Sequence, residues 1–333
     1  MIGYLFRRLR MLLFSVFITC SADAATLADT AATAVGKHGR LRVQGATLLD
    51  QHGKPAVLRG VSLGWHNWWP RFYNSETIKW LAADWKATVV RAAIGVGPQG
   101  SYLDNPDFAL ECLYQVVDAA LAEGVYVIID WHSHEIHTPQ AKDFFGKVAT
   151  KYKGYPNVIY EIYNEPVDDS WAEVKAYAAE VISVIRSIDE QAVILVGCPH
   201  WDQDIHLVAD DPIEGYDNIM YTVHFYAATH KQALRDRADY AIAKGIPVFI
   251  SECAGMEATG NGPVDHEEWQ RWVKWMQKNS LSWVAWSIAD KDETCSMIKD
   301  TDAPVASWKK EHLKDWGQTI RAELRDELIR TTL

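Results

Sequence analysis

The chain has 333 residues, 48% of them hydrophobic, and its 44 Asp and Glu against 33 Lys and Arg leave a formal net charge of −11 at pH 7. That length can bury a large core without disulfide staples. The acidic balance argues against nucleic acid and against polyanionic polymers such as pectin, and is compatible with a neutral polymer. Core packing accounts for some of the 15 Trp, and platforms for flat, apolar ligand faces would account for others.

Residues 1–24 read as a secretory signal. Arg7, Arg8 and Arg10 precede a short apolar run over 11–19, and Ala22-Asp23-Ala24 suits cleavage before Ala25. The run is too short for a stable membrane span, although a retained anchor helix is the alternative. Loss of its three Arg and one Asp takes the net charge from −11 to −13. The expectation is a secreted or periplasmic protein with no membrane attachment after signal removal. Residues 25–39 are rich in Ala and Thr without a period and read as a mobile leader. Residues 40–333 then form one domain. Cys112, Cys198, Cys253 and Cys295 match no zinc spacing. They read as separate buried thiols, with a Cys253–Cys295 disulfide as the alternative.

Segments 41–43 and 47–49 flank Gln44-Gly45-Ala46 as a hairpin, and Asp50-Gln51-His52-Gly53-Lys54 is a turn. Strand-like runs follow at 57–62, 88–94, 125–131, 158–164, 192–197, 219–224, 247–252 and 283–287. Amphipathic stretches of helical length separate most of them, at 74–86, 106–123, 140–153, 169–188, 230–244 and 265–279, with a last one at 311–329. Between the fifth and sixth strands only a short helix near 204–209 fits. Eight strand–helix units predict a single-domain α/β fold, a (β/α)₈ TIM barrel whose N-terminal end the hairpin closes. A doubly wound open sheet is the alternative, weakened because no Gly-rich phosphate loop follows the first strand.

In such a barrel the chemistry sits where strands end. Val158-Ile159-Tyr160-Glu161-Ile162-Tyr163-Asn164-Glu165-Pro166 reads as a buried strand ending in a polar cluster. Other strand ends carry Arg91, Asp130-Trp131-His132, His224 and Tyr226, Ser251-Glu252, and Trp286. Two carboxylates from separate strands among Arg, Asn, His, Tyr and Trp make a glycosidase composition. One carboxyl group protonates the leaving oxygen, and the other attacks the sugar or activates water. Neighbours set their difference in protonation: Arg91 would keep one charged, Tyr226 would orient it, and His224 would tune the other. Taken singly, each residue has a plainer account, such as a helix-capping Glu165, a buried strand pair for Arg91, core histidines at 132 and 224, and simple packing of Trp286. His132, His134 and His137 lack a compatible further ligand, so no metal is expected. His134 and His137 read as solvated loop residues.

Ile162-Tyr163-Asn164-Glu165-Pro166 resembles the Asn-Glu-Pro signature of glycoside hydrolase family 5, and Phe249-Ile250-Ser251-Glu252 resembles its second catalytic strand. The resemblance extends in order through Leu58-Arg59-Gly60-Val61-Ser62, Val90-Arg91, Ile128-Ile129-Asp130-Trp131-His132, His224-Phe225-Tyr226 and Trp286-Ser287. It covers nearly the whole chain from about Gly39. Trp201-Asp202-Gln203-Asp204 and Lys291-Asp292-Glu293 also fit the bacterial endoglucanases of the family. The resemblance implies a cofactor-free, retaining endo-β-1,4-glucanase that acts on cellulose-type β-glucan. Glu252 would be the nucleophile and Glu165 the general acid and then base. Asn164 would bond the sugar 2-hydroxyl, Arg91 and Tyr226 would hold Glu252, and His132 and His224 would complete the floor. Trp286 would stack beneath the sugar at the cleavage point. Trp201, Lys291 and Glu293 would line neighbouring subsites, and Trp68 is a further candidate stacking platform. Two departures stand out: Gly64 falls where relatives often carry a His, and Cys253 follows Glu252 where an aromatic is common. The rival readings are a β-mannanase or mixed-linkage β-glucanase on the same fold, or a non-catalytic sugar-binding barrel. The expected partner is the polysaccharide alone, bound by a monomer.

Overall fold

The computed structural model describes residues 32–300 and 302–327. The signal segment expected at 1–24 lies outside them. Two short strands, β1 (Arg42–Gln44) and β2 (Thr47–Leu49), form an antiparallel hairpin. Eight more are β3 (Arg59–Leu63), β4 (Val89–Gly95), β5 (Tyr126–His132), β6 (Val158–Glu161), β7 (Val193–Val196), β8 (Ile219–Tyr226), β9 (Val248–Ala254) and β10 (Trp283–Ile288). They pair in parallel in chain order, and β10 closes on β3, which makes the expected barrel rather than an open sheet.

The helices are α1 (Ala34–His38), α2 (Ser75–Ala83), α3 (Pro106–Glu123), α4 (Thr138–Tyr152), α5 (Trp171–Ile188), α6 (Ile205–Asp210), α7 (Gln232–Ala243), α8 (His266–Lys278) and α9 (Asp315–Leu324). Local chemistry explains their ends. The Asn74 and Asn105 side chains accept from backbone amides in the first turns of α2 and α3, and Ser170 with Glu173 makes a capping box on α5. Gly124 ends α3 in the left-handed conformation at φ 63°. Helix α9 is shorter than the stretch expected at 311–329, because a 3₁₀ turn occupies Lys310–His312. The leader expected at 25–39 is not wholly irregular. Thr33 caps α1, the Val35 amide donates to the Gly124 carbonyl at 2.9 Å, and Ala34 and Val35 pack under the barrel.

Leu41 and Leu48, from the hairpin region, pack with Val89, Ile159, Val193, Phe249 and Val284, which lie at or near the starts of barrel strands. The hairpin therefore covers the N-terminal end. Burying a Leu there contributes about 2–3 kcal/mol. Side chains alternate along a strand, so residues two apart share a face. The inner face runs Val89 to Arg91, Tyr126 to Ile128, Asp130 and His132, Ile159 to Glu161, and Met220 to Thr222 and His224. Each series starts in the apolar cluster of the covered end and finishes in buried polar groups at the open end. Strand β9 breaks the rule. Thr222 and His224 pair with Phe249 and Glu252, so β9 carries one extra residue against β8. Strict alternation from Phe249 would have turned Glu252 towards the helices. The bulge brings both Ser251 and Glu252 to the mouth.

Candidate active site

Arg91 lies at the floor of the mouth and is fully buried. Its Nε donates to Glu161 at 2.6 Å, one terminal nitrogen to Glu252 at 3.0 Å, and the other to Asn164 Oδ1 at 2.6 Å while lying 3.0 Å from Asp130. Burial pulls the guanidinium pKa down, but the Asp130, Glu161 and Glu252 charges outweigh it and keep the group charged. One cation thus faces three carboxylates. Asp130 Oδ1 and Glu161 Oε1 have no hydrogen-bond partner among the described residues, and burial pushes the Asp130 carboxyl well up.

Asn164 follows the end of β6. Its backbone amide donates to the Trp131 carbonyl at 3.1 Å, and that of Glu165 donates to the Ser133 carbonyl at 3.2 Å. These bonds carry the segment past β6 along the end of β5. With Oδ1 taken by Arg91, the Asn164 side-chain nitrogen is a buried donor with no partner in the described protein. The Tyr226 hydroxyl donates to Glu252 at 2.8 Å. His224 Nδ1 lies 2.9 Å from Glu165 Oε1, and its Nε2 lies 2.9 Å from Ser251 Oγ and 3.2 Å from Asp202 Oδ2. Burial alone would pull His224 down, but Asp202, Glu161 and Glu165 raise it well above its ordinary value. An imidazolium with acceptors at both nitrogens satisfies this geometry.

Burial pushes the Glu165 carboxyl up, but hydrogen bonds from His134 and His224 outweigh it and hold the group low. Glu252 moves the other way: burial and the Glu165 charge raise it against His224, Arg91 and Tyr226. The two carboxyls and His224 each bring one ligand-type atom within 4.8 Å of the others. Among the described residues this is the grouping closest to a metal site. A cation there would compete with the Arg91 and Tyr226 bonds to Glu252 and with the proton on His224, so the donors suit proton chemistry better.

The remaining predicted residues gather around this centre. His132 Nδ1 lies 2.7 Å from Asp130, and its ring stacks on Trp286 at 5.2 Å between centroids. Trp286, Trp68, Lys291 and Glu293 line one cavity, in which Lys291 pairs with Glu293 at 2.6 Å. Trp201 lines another, of about 520 Å³, together with Glu165, His134, His224 and Tyr226. Trp68 is 49% and Trp201 42% exposed, so both present free ring surface. Asp130 lines none of these cavities. Asp130→Asn is expected to lower Tm by roughly 2–6 °C while kcat stays within about fivefold, because it weakens buried bonds to Arg91 and His132 without removing a group that faces the cleft. Thermal melts and initial rates on one preparation measure both.

Three residues escaped sequence reasoning. Glu161 sits two places past Ile159 on the inner face, and an acid inside so apolar a strand was a visible signal. Asp202 belongs to a turn in which His200, Trp201 and Asp202 all have left-handed φ, at 61°, 54° and 59°. This turn exposes Trp201 and buries Asp202, which accepts from the Cys198 amide at 2.7 Å and from the Thr222 hydroxyl. Nothing in the local sequence signals it. His134 is the exposed loop residue expected, but it also reaches Glu165 Oε2 at 3.1 Å, a contact the sequence did not suggest. All four cysteines outside residues 1–31 are buried and free, so Cys253 and Cys295 are not joined.

The model of the cellulase family, glycosyl hydrolase family 5, matches residues 49–292. An endoglucanase of Clostridium saccharobutylicum is 39% identical over 321 residues, covering 94% of this chain and 70% of that protein. Endoglucanase 5 of Pectobacterium carotovorum is 38% identical over 95% of this chain, which spans 63% of its length. Among solved structures, one from Cytophaga hutchinsonii superposes with a TM-score of 0.87 at 43% identity, covering 90% of this chain and all of that one. The catalytic domain of a Thermobifida fusca endoglucanase, in complex with cellotetraose, superposes with a TM-score of 0.82 at 33% identity, over 88% of this chain and 99% of its own. On the family match, on these relatives and on a barrel that converges two carboxylates at its open end, the chain belongs to glycosyl hydrolase family 5, the cellulases.

Proposed function

We propose that the protein is a retaining endo-β-1,4-glucanase for cellulose-type β-glucans, with Glu252 as nucleophile and Glu165 as general acid and then base. The observation that carries this reading is the closeness of the two carboxyl groups, whose nearest ligand-type oxygens lie within 4.8 Å. Retaining glycosidases hold their carboxyl groups about 5–5.5 Å apart, whereas inverting ones need roughly 6.5–9.5 Å to seat a water. Longer relatives, of which this chain spans 70% and 63%, are named endoglucanases, and a catalytic domain of the same fold is bound to cellotetraose.

The residues support each step. Glu252, oriented by Arg91 and Tyr226, attacks the anomeric carbon as Glu165 protonates the departing oxygen. The proton is held on the His224–Glu165 pair and crosses a 2.9 Å bond. The Glu252 charge favours that proton. Once Glu252 becomes an ester its charge is gone, so Glu165 releases a proton more readily and acts as base towards water. The unpartnered Asn164 amide is free to donate to the sugar 2-hydroxyl, a bond that strengthens as charge develops at the neighbouring carbon. Exposed Trp68 and Trp201 offer stacking faces for glucosyl units away from the cleavage point. Among the described residues no helix is long and apolar enough to cross a membrane. The signal-like residues 1–24 support action outside the cytoplasm.

Reducing-sugar release from carboxymethyl cellulose, mannan and lichenan, measured side by side, tests the reading. Carboxymethyl cellulose is expected to be cleaved, and faster release from mannan would overturn the substrate assignment. Trp201→Ala is expected to raise KM for the polymer about tenfold, since one ring–sugar contact contributes on the order of 1–2 kcal/mol. The same change should leave kcat on a short activated glycoside within about twofold, because the carboxyl pair is untouched. Equal losses on both substrates would remove Trp201 from the binding surface.

A further inference from the structure

A linear glucan threading the mouth needs two open arms. The Trp201 cavity and the Trp68–Trp286 cavity supply them. The protein has a third, of about 300 Å³, between the loops that follow β3, β4 and β5. Trp65 walls it, His132 and His134 border it on the side of the mouth, and Gly97, Glu135 and His137 are among its other lining residues. It is not an isolated dent. His134 also lines the Trp201 cavity, and Trp65 also lines the Trp68–Trp286 cavity. The three arms therefore meet beside Glu165 and the His132–Trp286 stack.

We propose that this third cavity binds a single neutral sugar branch carried by the glucan backbone near the cleavage point. The inference rests on the β-glucanase reading above. At roughly 30 Å³ per water the space holds about ten waters, comparable with the heavy atoms of one pentosyl unit. Trp65 offers an aromatic wall for an apolar sugar face. Glu135 and His137, 3.9 Å apart, offer an acceptor and a second polar group for hydroxyls. The exposed Glu135 carboxylate disfavours an acidic branch, which selects neutral pentoses and hexoses. The cavity stays open at Gly97, where an added Cβ meets nothing within 4 Å. A side chain there is sterically admitted and narrows the arm.

The test uses the full-length protein, cellohexaose, and a series of cellohexaoses each bearing one α-1,6-xylosyl branch on a different backbone unit. At least one branched isomer is expected to match or exceed cellohexaose in kcat/KM. Gly97→Leu should lower kcat/KM for that isomer about tenfold while cellohexaose stays within about twofold, and Glu135→Ala should lower it about threefold with the same selectivity. The inference is overturned if every branched isomer is cleaved tenfold or more slowly than cellohexaose, or if both variants leave the ratio of branched to unbranched rates unchanged. Failure of the wild type to cleave cellohexaose at all would instead overturn the β-glucanase reading, and this inference with it.

Discussion

Glu252→Ala is expected to abolish turnover on every substrate, by on the order of 10⁴-fold or more, because no other carboxylate can reach the anomeric carbon from that side. Glu161 and Asp130, the nearest acids on Arg91, are fully buried beneath the mouth. The loss should not reflect unfolding. Burial and the Glu165 charge raise the Glu252 pKa in the folded protein, against the pull of His224, Arg91 and Tyr226. An acid with a raised folded-state pKa favours the fold at low pH and gives that contribution up as pH rises through its folded value. Removing the charge with Glu252→Gln should therefore raise Tm at neutral pH, and the gain should vanish in acid. Melts at several pH values, paired with activity, check this. An inactive variant with a lowered neutral Tm would mean that Glu252 holds the structure together rather than storing unfavourable charge for catalysis.

Glu165→Ala should behave differently. A dinitrophenyl leaving group departs without protonation, so the first step survives and the glycosyl–Glu252 ester accumulates as an initial burst. Hydrolysis of that ester needs a base, and His224 cannot substitute while its nitrogens face Asp202 and Ser251 on one side and the vacated carboxylate position on the other. Azide, which needs no base, should attack the anomeric carbon, break its bond to Glu252, and restore turnover by about 10- to 1,000-fold as a β-glycosyl azide. The first-formed product of the wild type should be the β-anomer. The mechanism fails if azide rescues neither variant, or if the wild type first releases the α-anomer.

Several features of the site were legible because they are local. A polar group two residues beyond an apolar one on the same strand face is visible in the letters alone, as with Ile128 and Asp130 or Met220, Thr222 and His224. That reasoning identifies Arg91, His132 and His224 as inward-facing. It fails for Glu252, because alternation from Phe249 gives the wrong face and only the bulge in β9 restores it. It also fails for His134, whose place in a loop carries no period to read.

By itself the sequence determined the eight strands and their order, and it singled out Glu165 and Glu252 as the candidate carboxyl pair, since each rests on short-range patterning and on motifs a few residues long. The tertiary structure alone decided what those groups do to one another. Arg91 meets Glu161 across 70 residues of sequence and Glu252 across 161, contacts that exist only because the barrel closes. The left-handed turn at His200–Asp202 exposes Trp201 and sends Asp202 under His224, and three loops leave a cavity where their tips fail to meet. Local patterning sets which face a side chain takes. Distances between faces, and the protonation states that follow from them, depend on register and closure, which no local stretch encodes.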